Sequence, residues 1–257
     1  MSTSLPESPC ALVVGGSRGI GQALTEQLLA SSVIDRVAVT ARSAGSGGAL
    51  DRLSQEHAER LVVLPMDVTD QQSVAAAAAQ LKESDIRPRL ILNVAGLLHD
   101  QGRSVRPEKR LEDIDADAMQ RVFQVNAIGP ALCLRYFLPL MPRSGRSVFA
   151  VLSARVGSIS DNRLGGWYAY RASKAALNQV VKTASIEARR RFPEAIIAAL
   201  HPGTTDTGLS APFQSNVPKD KLFTPQFVAQ RLLAVVDGLD AADSGGFFAW
   251  DGQAIPW

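Results

Sequence analysis

The sequence predicts a doubly wound α/β fold: a parallel sheet of about seven strands with helices on both faces, in a single domain over residues 1–257. Three observations carry this. Short apolar runs alternate with longer amphipathic ones along the whole chain. The first apolar run leads directly into a glycine-rich turn that opens an amphipathic run. No stretch between the runs reads as a linker. Alternation on this scale requires crossover helices, which make the strands parallel and cover the sheet on both sides.

Taken in order, the apolar run at 11–14 predicts the first strand and the amphipathic run at 20–31 the first helix. A strand at 36–40, a helix at 49–60 and a strand at 61–66 follow. The helix predicted over 70–84 contains the alanines of 75–79, which are strong helix formers rather than low complexity. A strand at 90–92 precedes the longest helical pattern, 116–140. Strand 148–152, helix 170–191, strand 195–200, helix 225–238 and strand 246–249 complete the series. The Gly/Ser patch at 43–48 and the Pro-containing stretch at 201–225 each follow a predicted strand, where such folds place their binding loops.

Composition removes several function classes. With 27 Lys+Arg against 25 Asp+Glu the net charge is +2, so no basic face is expected to displace counterions from nucleic acid. The densest basic run, Arg189, Arg190 and Arg191, reads as a solvated helix end favoured by the helix dipole. No run reaches the roughly 18–20 apolar residues that a membrane-spanning helix needs. Residues 1–9 show neither a basic nor an apolar signal region, which predicts a cytoplasmic protein. Cys10 and Cys133 sit in apolar surroundings and read as buried thiols in a reducing compartment. His57, His99 and His201 have no ligand-like spacing, so no metal site is expected.

The chemistry concentrates in two motifs. Gly15, Ser17, Arg18, Gly19, Ile20 and Gly21 form a turn between strand and helix, where backbone N–H groups can meet a pyrophosphate at the positive helix terminus. The Lys-Ser/Thr ending of a P-loop is missing. At the end of the second strand, where a carboxylate would bind the ribose 2′-OH of NAD, stands Arg42. A guanidinium pairs with a 2′-phosphate, and Arg18 falls on the same side, so NADP(H) is favoured over NAD(H). In the second motif, Tyr170 and Lys174 are four residues apart on one helix face. A nearby ammonium is expected to lower the phenol's pKa toward the range needed for proton transfer to a carbonyl oxygen.

On these motifs the chain resembles the short-chain dehydrogenase/reductases over essentially its whole length, in the Rossmann-like fold that family shares. Further matches fall in the family's order. Asp67 and Val68 follow the third strand, where the family contacts adenine; Asn93, Ala95 and Gly96 stand in the element beneath the cofactor. Asn126 matches the helix asparagine that supports a relay water, and Pro202, Gly203, Thr205 and Thr207 match the element on the nicotinamide side. The stretches 157–159, 168–178 and 245–252 are similar to the branch of C-factor-like proteins and sniffer-type carbonyl reductases. The resemblance implies an NADPH-dependent oxidoreductase that transfers a hydride between nicotinamide and a small carbonyl or alcohol substrate. Tyr170 would be the acid–base, and Lys174 would lower its pKa and bind the nicotinamide ribose. It also implies a homodimer or homotetramer, through the two long helices.

The family's catalytic serine, commonly Ser-Ser-x-x-Gly, meets Ser153, Ala154, Arg155, Val156 and Gly157 here. Counting back from Gly157 puts Ala154 in the slot, whereas counting along the strand puts Ser153 there; strand-end geometry is the warrant for Ser153, with Ser158 a substitute from the loop. The substrate loops are expected at about 97–113, 154–167 and 208–224, the last with the position of a lid. Trp167 and Phe213 fit either an apolar pocket or core packing, and Arg155 either a substrate carboxylate or solvent. The competing class is a non-catalytic NADP(H)-binding sensor or signalling protein on the same fold.

Overall fold

Every residue of the first strand, β1 (Cys10–Val14), is buried, as expected for a central strand covered on both faces. In the computed structural model, which describes residues 9–42 and 48–257, it is followed by α1 (Gly19–Ala30), β2 (Arg36–Ala41), α2 (Ala49–Glu56), β3 (Leu61–Pro65), α3 (Gln71–Glu83) and β4 (Pro88–Asn93). The second half runs α4 (Ala116–Phe123), α5 (Gly129–Phe137), β5 (Ser147–Leu152), α6 (Tyr168–Ala188), β6 (Ala195–His201), β7 (Thr204–Thr205), β8 (Leu222–Phe223), α7 (Pro225–Gly238) and β9 (Phe247–Ala249). The N-terminal residues 1–8 and most of the Gly/Ser patch, 43–47, lie outside the described residues.

Seven parallel strands form one sheet in the order β3-β2-β1-β4-β5-β6-β9. Side chains alternate across it. Leu12 and Val14 face a core with Leu81, Phe137, Leu177 and Val181, from α3, α5 and α6. Ala11 and Val13 face the opposite core, with Leu24 and Leu28 of α1, Leu53 of α2 and Leu232 of α7. Helices therefore cover both faces. Strand order reverses between β1 and β4, which opens a crevice at the carboxyl ends of the strands.

All seven strands lie within two residues of their predicted bounds. The pattern at 116–140 is not one helix: α4 and α5 are separated by a π-helical turn, Gln124–Ile128, and a 3₁₀ turn, Leu138–Leu140, follows. Pro130 supplies the reason. It has no N–H to return to the carbonyl of Asn126 four residues earlier, so the helical ladder widens there. Helix α6 begins before Tyr170 and ends before the arginine run. The β7–β8 pair, inside the Pro-containing stretch, was not predicted. Among the described residues no helix is long and apolar enough to cross a membrane.

Candidate active site

A cleft of about 690 Å³ opens at the carboxyl ends of β1, β2, β3, β4, β5 and β6. On its floor the chain turns sharply after β1, where the N–H groups of Gly15 and Gly16 donate to the Thr40 carbonyl at 3.1 Å each. Gly15 has φ +85°, and a Cβ there would lie 3.2 Å from the backbone nitrogen of Ala95. A Cβ on Gly21 would lie 2.2 Å from the Gly15 carbonyl oxygen. Only glycines permit this turn. Among the described residues no side chain caps the first turn of α1, which leaves its N-terminal amides to a ligand.

Of the residues expected at the cofactor, Gly15, Ser17, Arg18, Gly19, Ile20, Gly21, Arg42, Asp67, Val68, Ala95, Gly96, Pro202, Gly203, Thr205 and Thr207 all line this cleft, with Tyr170 and Lys174. No carboxylate stands at the end of β2, where Ala41 is followed by the exposed Arg42. Burial pushes the Asp67 carboxyl up, but the Thr69 N–H and hydroxyl, donating at 2.8 and 2.7 Å, outweigh it. With Arg121 and Arg42 adding in the same direction, Asp67 lies below the usual carboxylate range. Thr205 Oγ1 is buried on the cleft wall with no hydrogen-bond partner among the described residues.

Asn93 and Asn126 are 0 % exposed and do not line the cleft. Asn93 ends β4 beside the Cys133 thiol. The Asn126 amide accepts from the Leu97 N–H and donates to the Leu97 carbonyl, both at 2.7 Å, and donates to Ser173 Oγ at 3.1 Å. It thereby ties the loop after β4 to α6.

Lys174 is buried, its ammonium donates to the Leu152 carbonyl at 2.8 Å, and it lies 5.8 Å from the centre of the Tyr170 ring. Desolvation brings its pKa down to about 7. The Tyr170 phenol is pushed up to about 12 by burial, opposite to the depression expected from a neighbouring ammonium. The reason is that both groups are desolvated, which disfavours phenolate and ammonium alike.

Ser153 lines the cleft beside Ala154, but its hydroxyl donates to Asn178 Oδ1 at 2.7 Å. A serine has one O–H, so in this arrangement none is left for a substrate oxygen. The side chain of Ser153, expected as the orienting donor, thus turns toward α6 at the end of β5. Ser158, the alternative from the loop, does not line the cleft, and its hydroxyl accepts from the Asp161 N–H at 3.2 Å. Arg155 is exposed and pairs with Asp161 at 3.4 Å. Trp167 and Phe213 both line the cleft, which decides for the pocket.

Sequence reasoning missed His99, His201 and Arg121, which also line it. Burial, then Arg155, drive His201 down to about 4 against a weaker upward pull from Asp251, so it is neutral at pH 7. Its position directly before Pro202 was the available signal. Among the described residues no group of three or more His, Cys, Asp or Glu could hold a metal.

Residues 9–218 match the family model for short chain dehydrogenases. The chain is 28 % identical over 249 residues to 1-hydroxy-2-glutathionyl-2-methyl-3-butene dehydrogenase of Rhodococcus sp. (strain AD45), covering 96 % of this chain and 98 % of that protein. It is 36 % identical over 148 residues to the C-signal of Myxococcus xanthus, which covers 57 % of this chain and 83 % of that one. The fold is similar to the crystal structure of an NADPH-bound carbonyl reductase from chicken fatty liver, with a TM-score of 0.85 at 29 % identity over 99 % of this chain and 96 % of that one.

Proposed function

Because the chain belongs to the short-chain dehydrogenase family of NAD(P)-dependent oxidoreductases, we propose that it is an NADPH-dependent carbonyl reductase with Tyr170 as acid–base residue. In this reading residues 1–257 work as one domain, with substrate loops at about 97–113, 154–167 and 208–224. The observation that carries it is the single cleft that holds the glycine turn together with Tyr170 and Lys174.

The residues present fit a nicotinamide dinucleotide. The turn at Gly15 and Gly21 has no room for a Cβ, and among the described residues α1 has no side-chain cap and Thr205 Oγ1, on the wall, has no hydrogen-bond partner. The amides from Gly15 to Gly21 would hold the pyrophosphate, Arg18 and Arg42 the 2′-phosphate, and Asp67 and Val68 the adenine. Pro202, Gly203, Thr205 and Thr207 would hold the nicotinamide side. Asn126 acts from beneath, as a support of the loop after β4, and Asn93 lies buried at the end of β4.

When bound, the reduced cofactor supplies a hydride to the carbonyl carbon. Tyr170, with a pKa pushed up to about 12, keeps its proton at neutral pH and can donate it to the carbonyl oxygen. Lys174, near half-charged at neutral pH, supplies the positive charge that steadies the phenolate left behind. The chain's part is to position and to move that proton.

A second reading, a non-catalytic NADP(H)-binding protein, is favoured by one observation: the only O–H of Ser153 is committed to Asn178. NADPH oxidation followed over a panel of ketones, aldehydes and quinones separates the two. Turnover that Tyr170→Phe lowers by about 10²–10⁴ while NADPH affinity holds supports the reductase. NADPH binding without turnover on any substrate supports the alternative.

A further inference from the structure

Glu108 is a carboxylate only 4 % exposed, in the loop that precedes α4 and 61 residues before its partner. Both its oxygens accept from the Ala169 N–H in the first turn of α6, at 3.2 and 3.3 Å, where the helix dipole favours a negative charge. Its backbone carbonyl accepts from the Trp167 N–H at 2.6 Å. Trp167 has φ +54° and ends a left-handed run with Gly165 and Gly166. A bulky residue keeps that conformation only where its surroundings impose it.

Arg171 supplies the other half of the clamp. Its Nε donates to the carbonyls of Gly165 and Gly166 at 3.2 and 2.9 Å, and its Nη1 to that of Val156 at 3.3 Å. Held this way, the Trp167 indole stands edge-on to Tyr170, with centroids 6.1 Å apart, and to Phe213, at 5.2 Å. Phe213 in turn meets His99 at 5.8 Å, and His99 is hydrogen-bonded to the Gly208 carbonyl at 3.0 Å. Three separate loops thus join their rings in a chain that ends at Tyr170 through Trp167, and all four rings line the cleft.

We propose that Trp167, clamped by Glu108 and Arg171, selects the substrate by packing against a flat, apolar group bonded to the carbonyl carbon. An aryl ring gains edge-to-face contacts with this wall that an alkyl chain does not. Glu108 is a positioning residue: it touches neither substrate nor cofactor and acts by fixing the backbone of Trp167 and Ala169. The proposal rests on the reductase reading above.

The test compares kcat/KM for benzaldehyde and for butanal, with NADPH, in Trp167→Ala, Trp167→Phe, Glu108→Ala and Glu108→Gln. Trp167→Ala and Glu108→Ala are expected to lose roughly tenfold more on benzaldehyde than on butanal, mainly in KM. Trp167→Phe and Glu108→Gln, which keep a ring and an acceptor oxygen, are expected to retain the aryl preference. Equal losses on both aldehydes, or no loss, would overturn the proposal. If the wild type binds NADPH but reduces neither aldehyde, the reductase reading fails instead. The wall is then tested by calorimetry with benzyl alcohol: binding lost in Trp167→Ala supports it, and binding that is absent from the wild type or unchanged in the variant overturns it.

Discussion

Ser153 donates its hydroxyl to Oδ1 of Asn178 at 2.7 Å, and both side chains are buried. The hydroxyl nearest the family's serine position is therefore tied to α6. Ser153→Ala leaves a buried acceptor unpaired, which is expected to cost about 1–3 kcal/mol of stability. Turnover should fall by less than about tenfold, since no bond to substrate is lost. Thermal melting and kcat measured on the same variant check both. A hundredfold loss of kcat with an unchanged melting point would show that the hydroxyl leaves Asn178 for the substrate.

Lys174 makes stability depend on pH. Its folded pKa of about 7 lies below the ordinary 10.5, so above pH 7 the unfolded chain binds more protons and the folded state gains. Between pH 7 and pH 9 the cofactor-free protein should gain about 2 kcal/mol, at most about 1.4 kcal/mol per pH unit. His201, held at about 4 against 6.5, gives a separate rise between those values. Above pH 9 the buried Cys133 thiol, raised to about 12, opposes the gain. Urea unfolding at pH 7, 8 and 9 should show the rise in the wild type and not in Lys174→Met.

The sheet was legible in the sequence because its strands are short apolar runs between amphipathic ones, a local pattern. The glycine turn and the Tyr170–Lys174 pair were legible for the same reason: each is a spacing within one element. Features made by chain segments far apart were not. Glu108 reads as a loop charge, and only the start of α6, about sixty residues later, gives it a place in the interior. The commitment of Ser153 to Asn178 depends on how β5 meets α6, which no spacing within either element reports. The break at Gln124–Ile128 is different. Pro130 lies inside the pattern, and its missing N–H was a signal that the apolar periodicity overrode.

Arg18 and Arg42 are exposed and line the same cleft, and the residues that end β2 include no carboxylate. A guanidinium bond to a 2′-phosphate is charge-assisted and worth about 1.5–3 kcal/mol. Arg42→Ala should therefore weaken NADPH binding by roughly 10- to 150-fold and leave NADH almost unchanged. Arg42→Asp should go further, repelling the phosphate while accepting from the ribose hydroxyl of NADH. Titrating both cofactors into each variant measures the preference, and equal weakening for the two would place Arg42 away from the 2′-phosphate.

Gly21 and Gly48 offer a matched pair at helix starts with opposite surroundings. A Cβ on Gly21 would lie 2.2 Å from the Gly15 carbonyl oxygen and 2.8 Å from Val94 Cγ2, whereas one on Gly48 meets nothing within 4 Å among the described residues. The obstacle at Gly21 is backbone, so the turn itself must move, and with it the amides that would meet the pyrophosphate. Gly21→Ala should cost about 1–3 kcal/mol or more and abolish NADPH binding. Gly48→Ala, at the N-cap of α2, should change stability by no more than about 1 kcal/mol and leave binding intact. Melting temperatures and NADPH titrations of the two variants check this. Wild-type affinity in Gly21→Ala would mean that the turn after β1 does not hold the cofactor.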